Sequence, residues 1–161
     1  MENPLLDHSA LPHFSKISPD HVEPAVDTIL EDNLQTVESL LAAGGPFSWE
    51  SLVEPVEGLD HRLSRTWSPV GHLNAVMNNG PLREAYNRCL PKLTRYATEI
   101  GQNESLFRAF EAVAEDRDVS DPARRAVLEH ALREFRLSGV ALPGEQKTRF
   151  REVMERLSSL Q

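Results

Sequence analysis

A chain of 161 residues is the length of one ordinary domain, long enough to bury roughly two-thirds of the surface its unfolded form exposes. Hydrophobic residues make up 40%, and 8 glycines with 11 prolines exclude a low-complexity or collagen-like chain. Seventeen basic against 25 acidic residues leave a net charge of −8, which opposes nonspecific binding to nucleic acid or to an anionic membrane. The single cysteine, Cys89, has no partner for an intrachain disulfide and fits a reducing compartment. The N-terminus has no basic-then-apolar leader, and no apolar run approaches the ~18 residues of a spanning helix. The cytoplasm is the expected location, with neither nucleic acid nor membrane as partner.

Residues 1–17 are polar, carry Pro4 and Pro12, and read as an extended arm. Ser18-Pro19 signals a helix start, a capping residue followed by a proline whose missing N–H is harmless in the first turn. Pro24 falls close behind and predicts a separate tight turn there. Val22, Val26, Ile29, Leu30, Val37, Leu40 and Leu41 then recur at three- and four-residue steps, one buried face of a long helix that Gly44-Gly45-Pro46 ends. Ser48 opens a second helix with Leu52, Val56, Leu59, Leu63 and Trp67 inward, and Pro55 predicts a kink or a delayed start. Ser68-Pro69 predicts a restart, with a short helix carrying Val70, Leu73, Val76 and Met77.

Asn78-Asn79-Gly80-Pro81 is a turn. Leu82, Tyr86, Cys89, Leu93, Tyr96 and Ile100 mark a helix of about 30 Å at 1.5 Å per residue, bent at Pro91. Asn103 opens the next, with Leu106, Phe107, Phe110 and Val113 inward, and Asp116-Arg117-Asp118 forms a charged loop. Asp121-Pro122 starts a helix carrying Val127, Leu128, Ala131, Leu132 and Phe135, closed by Ser138-Gly139. After Pro143 a last stripe runs through Phe150, Val153, Met154, Leu157 and Leu160 with no closing Gly, Asn or Pro, as if the helix continued beyond residue 161. No period-two alternation reaches strand length. The expected fold is all-α, six to seven mostly antiparallel helices, with residues 18–161 forming the helical domain and its last helix cut within its length.

Chemistry is sparse. A zinc peptidase motif, H-E-x-x-H, requires two histidines one helical turn apart, but His8, His13, His21, His61, His72 and His130 include no two at three or four residues' spacing. His130 and Glu134 lie at i, i+4 and read as a surface pair lacking a third ligand. Cys89 belongs to an apolar stripe and reads as a small core hydrophobe. Glu54, Glu57 and Asp60 share a helical face, which reads as solvated acid unless burial separates their pKa values. Glu84/Arg88, Glu129/Arg133 and Glu152/Arg156 are i, i+4 pairs that support helices. Arg124, Arg125, Arg133 and Arg136 are the densest basic group, but Glu129 and Glu134 interrupt it. Ser68-Pro69-Val70-Gly71-His72-Leu73-Asn74 is the most unusual polar constellation and reads as an interhelical corner with His72 and Asn74 bonded to backbone. On these residues no catalytic, cofactor-binding or metal residue is assigned.

An ordered set of short segments does carry a resemblance. Asn3-Pro4-Leu5-Leu6, Leu11-Pro12-His13-Phe14-Ser15-Lys16-Ile17 and Pro19-Asp20-His21-Val22-Glu23-Pro24-Ala25 come first. The Ser68–Asn74 segment, Leu82-Arg83-Glu84-Ala85-Tyr86, Ile100-Gly101-Gln102-Asn103-Glu104 and Phe135-Arg136-Leu137-Ser138-Gly139-Val140-Ala141-Leu142-Pro143 follow. Together they resemble the N-terminal region of the thimet oligopeptidase-like (M3) zinc metallopeptidases. The resemblance implies a neurolysin-like helical region forming part of the wall of a deep channel, in an enzyme that degrades short peptides. In that family zinc is held by H-E-x-x-H and a downstream glutamate, none of which falls within these residues, so the chain alone is expected to be inactive. The implied partners are the catalytic remainder of the same polypeptide and short peptide substrates. Uncovered apolar helix surface further predicts self-association. The alternative is a freestanding, non-catalytic helical module that binds a peptide or protein.

Overall fold

A computed structural model describes residues 3–116, 119–158 and 160. Arg117 and Asp118 of the expected charged loop lie outside the described residues. The fold is an all-α array of α1 (Pro19–Ala42), α2 (Glu54–Val76), α3 (Gly80–Gly101), α4 (Glu104–Glu115), α5 (Pro122–Leu137) and α6 (Gly144–Ser158). A 3₁₀ turn, Phe14–Lys16, precedes α1, and a π turn, Trp49–Val53, leads into α2. Among the described residues there is no strand.

Local chemistry sets most boundaries. Asn79, Asn103 and Asp121 each turn a side-chain oxygen onto a free N–H of the first helical turn, those of Leu82, Leu106 and Ala123. At the head of α1 the Ser18 N–H donates to His21 Nδ1 (3.1 Å), so an imidazole does the reciprocal capping usually done by a glutamate. Gly139 closes α5 in the left-handed region at φ +82°.

Two proline expectations are corrected, and the delayed start expected at Pro55 is found. Pro24 makes no separate turn and lies within α1, where it forgoes one hydrogen bond of the ladder. Pro55 sits in the first turn of α2, and the preceding π turn supplies a wider register in which the Glu54 N–H reaches Trp49 O. Ser68-Pro69 does not restart the chain, because α2 runs through it to Val76. Carrying the helix on costs one missing N–H but buries Pro69, Val70 and Leu73. The expected corner at Ser68–Asn74 is therefore helix: His72 lies beside the Phe14 ring (5.5 Å), and Asn74 accepts from Asn78 (3.3 Å). Pro91 also lies inside a continuous α3.

Two apolar clusters form the core. Val37, Leu52, Val53, Leu106, Phe110, Val113, Leu128 and Phe135 join α1 and the π turn to α4 and α5. Leu5, Val22, Val26, Leu30, Val70, Leu73, Cys89 and Tyr96 join the N-terminal segment to α1, α2 and α3. Asn33, fully buried, ties three helices together by donating to Leu59 O (3.3 Å) and Tyr96 Oη (3.2 Å). Ion pairs also tie α1 to α3: Arg88, which the spacing would pair with Glu84, reaches Glu23 (2.9 Å), and Lys92 spans Glu23 and Asp27 (2.8 and 2.6 Å). The segment read as an extended arm is held against the helices. Leu5 is buried, Asn3 donates to His21 O (2.8 Å), His8 bonds Thr66 (3.0 Å), and Arg65 donates to Ala10 O.

Candidate functional site

A groove of about 750 Å³ opens between α2, α3 and α5. Its apolar surface comes from Val56, Leu63, Trp67, Leu93, Ile100 and Phe135. Trp67 is fixed from behind by stacking on Tyr86, with ring centroids 4.7 Å apart. The charged groups lining it are Glu57 and Asp60 on α2 and His130 and Glu134 on α5, with neither lysine nor arginine among them. One end is closed where Gly101, finishing α3, meets Ser138 at the end of α5.

Glu57 and Asp60 are exposed, as the sequence suggested, and they line the groove. Glu54 is exposed and stands outside the groove. Glu57 and Asp60 keep solvent on one side, but the groove walls remove water from the other. Burial raises the pKa of both, and the Asp60 carboxylate raises that of Glu57 further, with His130 across the groove opposing it. A folded-state pKa above the unfolded value means that these groups favour folding most at low pH and that this contribution is lost as pH rises through the carboxylate range. Asp60→Asn is therefore expected to stabilise the chain at pH 7, by less than about 1 kcal/mol because solvent screens an exposed carboxylate. The gain should vanish below pH ~4, where the unfolded carboxylate is also protonated. Urea denaturation at pH 7 and pH 3.5 measures both, and a loss of stability at pH 7 would contradict the assignment.

The other sequence candidates find structural roles. His130 and Glu134 pair at 3.8 Å as their spacing required. Among the described residues no three histidine, cysteine, aspartate or glutamate side chains gather to hold a metal. Cys89 is fully buried, and burial pushes its thiol up to about 11, far from a reactive thiolate. In the basic group, Arg124 bonds Glu50 (2.7 Å) and covers the Trp49 ring, Arg125 donates to Val119 O (2.8 Å), and Arg136 pairs with Glu111 (3.6 Å) over the Phe107 ring. These guanidiniums fasten α5 to the π turn, to the loop before it and to α4. The sequence did not indicate the groove, because its walls come from residues distant in the chain. The available signal was the i, i+3, i+4 run of polar residues Glu57, Asp60, His61, Ser64, Ser68 and His72 along one face of α2.

The last apolar stripe is only half covered. α6 packs on α3, where Arg95 faces Glu155 (3.5 Å), and Lys147 bonds Glu104 at the start of α4 (2.5 Å). Val153, Leu157 and Leu160 remain exposed, as does Leu137 at the end of α5. Among the described residues no helix is long and apolar enough to cross a membrane.

Comparison with known proteins agrees with this architecture. The family model for the neurolysin/thimet oligopeptidase N-terminal domain matches residues 25–147. The chain is 44% identical to oligopeptidase A of Escherichia coli (strain K12) over 162 aligned positions, which cover 99% of this chain and 24% of that protein. It is 42% identical to oligopeptidase A of Haemophilus influenzae over the same share of both chains. It is 32% identical to the probable cytosolic oligopeptidase A of Arabidopsis thaliana, over 98% of this chain and 23% of the plant protein. The chain thus spans about a quarter of the length of the curated relatives it matches. On a family match covering most of its residues, this chain belongs to the neurolysin/thimet oligopeptidase N-terminal domain family.

Proposed function

We propose that this chain is the N-terminal helical part of an oligopeptidase A-like zinc metallopeptidase that degrades short peptides in the cytoplasm. Residues 18–161 form the helical domain, residues 1–17 precede it as an N-terminal arm, and the domain supplies part of the wall of the substrate channel. The chemistry belongs to a catalytic remainder of the polypeptide that carries the zinc, and this part alone does not cut peptides. The observation that carries this reading is the 44% identity to the Escherichia coli oligopeptidase A along 99% of the chain. The exposed Leu137, Val153, Leu157 and Leu160 support it, because apolar surface of this kind is what a packed neighbour covers. Alone, the chain is proposed to self-associate through that surface.

A chimera tests the reading. This chain replaces the matching quarter of the Escherichia coli enzyme, and the product is assayed with short quenched peptides and with a folded protein. The expected chimera is zinc-dependent, cuts the peptides and spares the folded protein, while the 161-residue chain by itself cuts nothing. Light scattering should show the chain alone growing in mass with concentration. A well-folded chimera without activity would favour a freestanding interaction module, and chelator-sensitive hydrolysis by the chain alone would overturn the division of labour.

A further inference from the structure

A second hollow lies beside the groove on α2. This cavity of about 690 Å³, between α2 and the N-terminal segment, shares Ser64 and Ser68 with the first and adds His61, Arg65, His72 and Leu11. The polar stripe of α2 borders both hollows, with Ser64 and Ser68 at their shared edge, and the first hollow is an acidic trough. From Glu57 to His72 the stripe runs roughly 22 Å at 1.5 Å per residue. That length takes about six or seven residues of extended peptide. Glu57, Asp60, His61, Ser64, Ser68 and His72 are all exposed along it.

Charge is distributed unevenly. Three carboxylates, Glu57, Asp60 and Glu134, face the apolar part of the trough, opposed there by His130 alone. Arg65, at the far end, is already bonded to Ala10 O. Carboxylates set beside Leu63, Trp67 and Leu93 complement a side chain with a long aliphatic stem and a cationic tip, which covers apolar surface while its charge reaches the acids. The carboxylates at this site make a second copy, itself of net charge −8, a poorer occupant here than at the exposed apolar Leu137, Val153 and Leu157.

We propose that this trough binds an extended peptide through an arginine or lysine side chain that reaches Glu57, Asp60 and Glu134, with flanking apolar residues resting on Leu63, Trp67 and Leu93. The trough thereby selects for basic residues in the peptides it holds. This rests on the reading of the chain as a peptide-channel wall and adds a specificity to it. Burial raises the pKa of both Glu57 and Asp60, so binding should weaken on acidification from above the usual carboxylate range.

The test is fluorescence anisotropy of the 161-residue chain with a labelled nonapeptide that has arginine at its centre and leucine and phenylalanine on either side. Two further peptides carry glutamine or glutamate in place of that arginine. The arginine peptide should bind at least tenfold more tightly than the glutamine peptide, with no binding of the glutamate peptide, and added salt should reduce the difference. The Glu57→Gln/Asp60→Asn double variant should lose at least tenfold for the arginine peptide with an unchanged circular dichroism spectrum. Glu54→Gln, outside the groove, should bind as the parent does. Equal binding of the three peptides overturns the charge selection but leaves the wall reading standing. An inactive chimera overturns the wall reading even where the arginine peptide binds. Unchanged affinity in the double variant, no binding of any peptide, or a dimer whose formation competes with peptide each overturns the proposal.

Discussion

Phe110→Ala is expected to destabilise the chain by about 3–5 kcal/mol, the range for emptying a buried aromatic site. Phe110 is 1% exposed, and its ring meets the Phe135 ring nearly edge-on at 5.5 Å. Phe135 in turn meets Phe107 at 5.8 Å, so three rings join α4 to α5. The truncation removes the transfer energy of a ring, opens a cavity, and discards an edge-to-face contact of about 0.5–1.5 kcal/mol. Because Phe110 and Phe135 also line the groove, the loss should loosen the α5 wall that carries His130 and Glu134. Urea denaturation followed by circular dichroism measures the effect. A cost under 1 kcal/mol would mean that this cluster does not hold α5 in place.

Gly101→Ala is the second large effect, and its sign depends on packing. Alanine is the better helix former by about 1 kcal/mol in an open position. At Gly101, however, an added Cβ would lie 2.5 Å from Ser138 Cβ and 2.6 Å from its Oγ. The obstructing carbon is attached to backbone, so the ends of α3 and α5 must separate, which also strains the Gln102 Nε2 to Ser138 O bond (3.1 Å). Overpacking wins, and the net cost should be about 1–3 kcal/mol. Adding Ser138→Gly removes the opposing side chain and should recover most of the loss, since residues in contact couple. Gly71→Ala is the control: nothing lies within 4 Å of a Cβ built there, so helix propensity alone acts and a small stabilisation is expected. Destabilisation at Gly71 equal to that at Gly101, or a Gly101→Ala loss that Ser138→Gly does not relieve, would refute the close-approach account.

The local elements were legible because their causes lie within a few residues. The caps at Asn103 and Asp121 satisfy N–H groups two or three positions away, and the apolar stripes of α1, α4 and α5 reflect a 3.6-residue period. Pro69 misled, because its local cost is visible in the sequence whereas the compensating burial of Val70 and Leu73 involves other segments. Arg88 shows the same division. Its spacing from Glu84 allows a pair within the helix, yet packing of α1 on α3 brings Glu23 within 2.9 Å.

The sequence by itself determined an all-α chain, the composition of most helix faces, and, through segments in the right order, membership of its peptidase family. Only the tertiary structure decided that α2 is one helix, that a groove lies between α2, α3 and α5, and that Glu57 and Asp60 stand across it from His130. The physical reason is range. Helix propensity, capping and amphipathic period act over one or two turns, whereas a groove and the desolvation of its carboxylates arise from surfaces more than seventy positions apart in the chain.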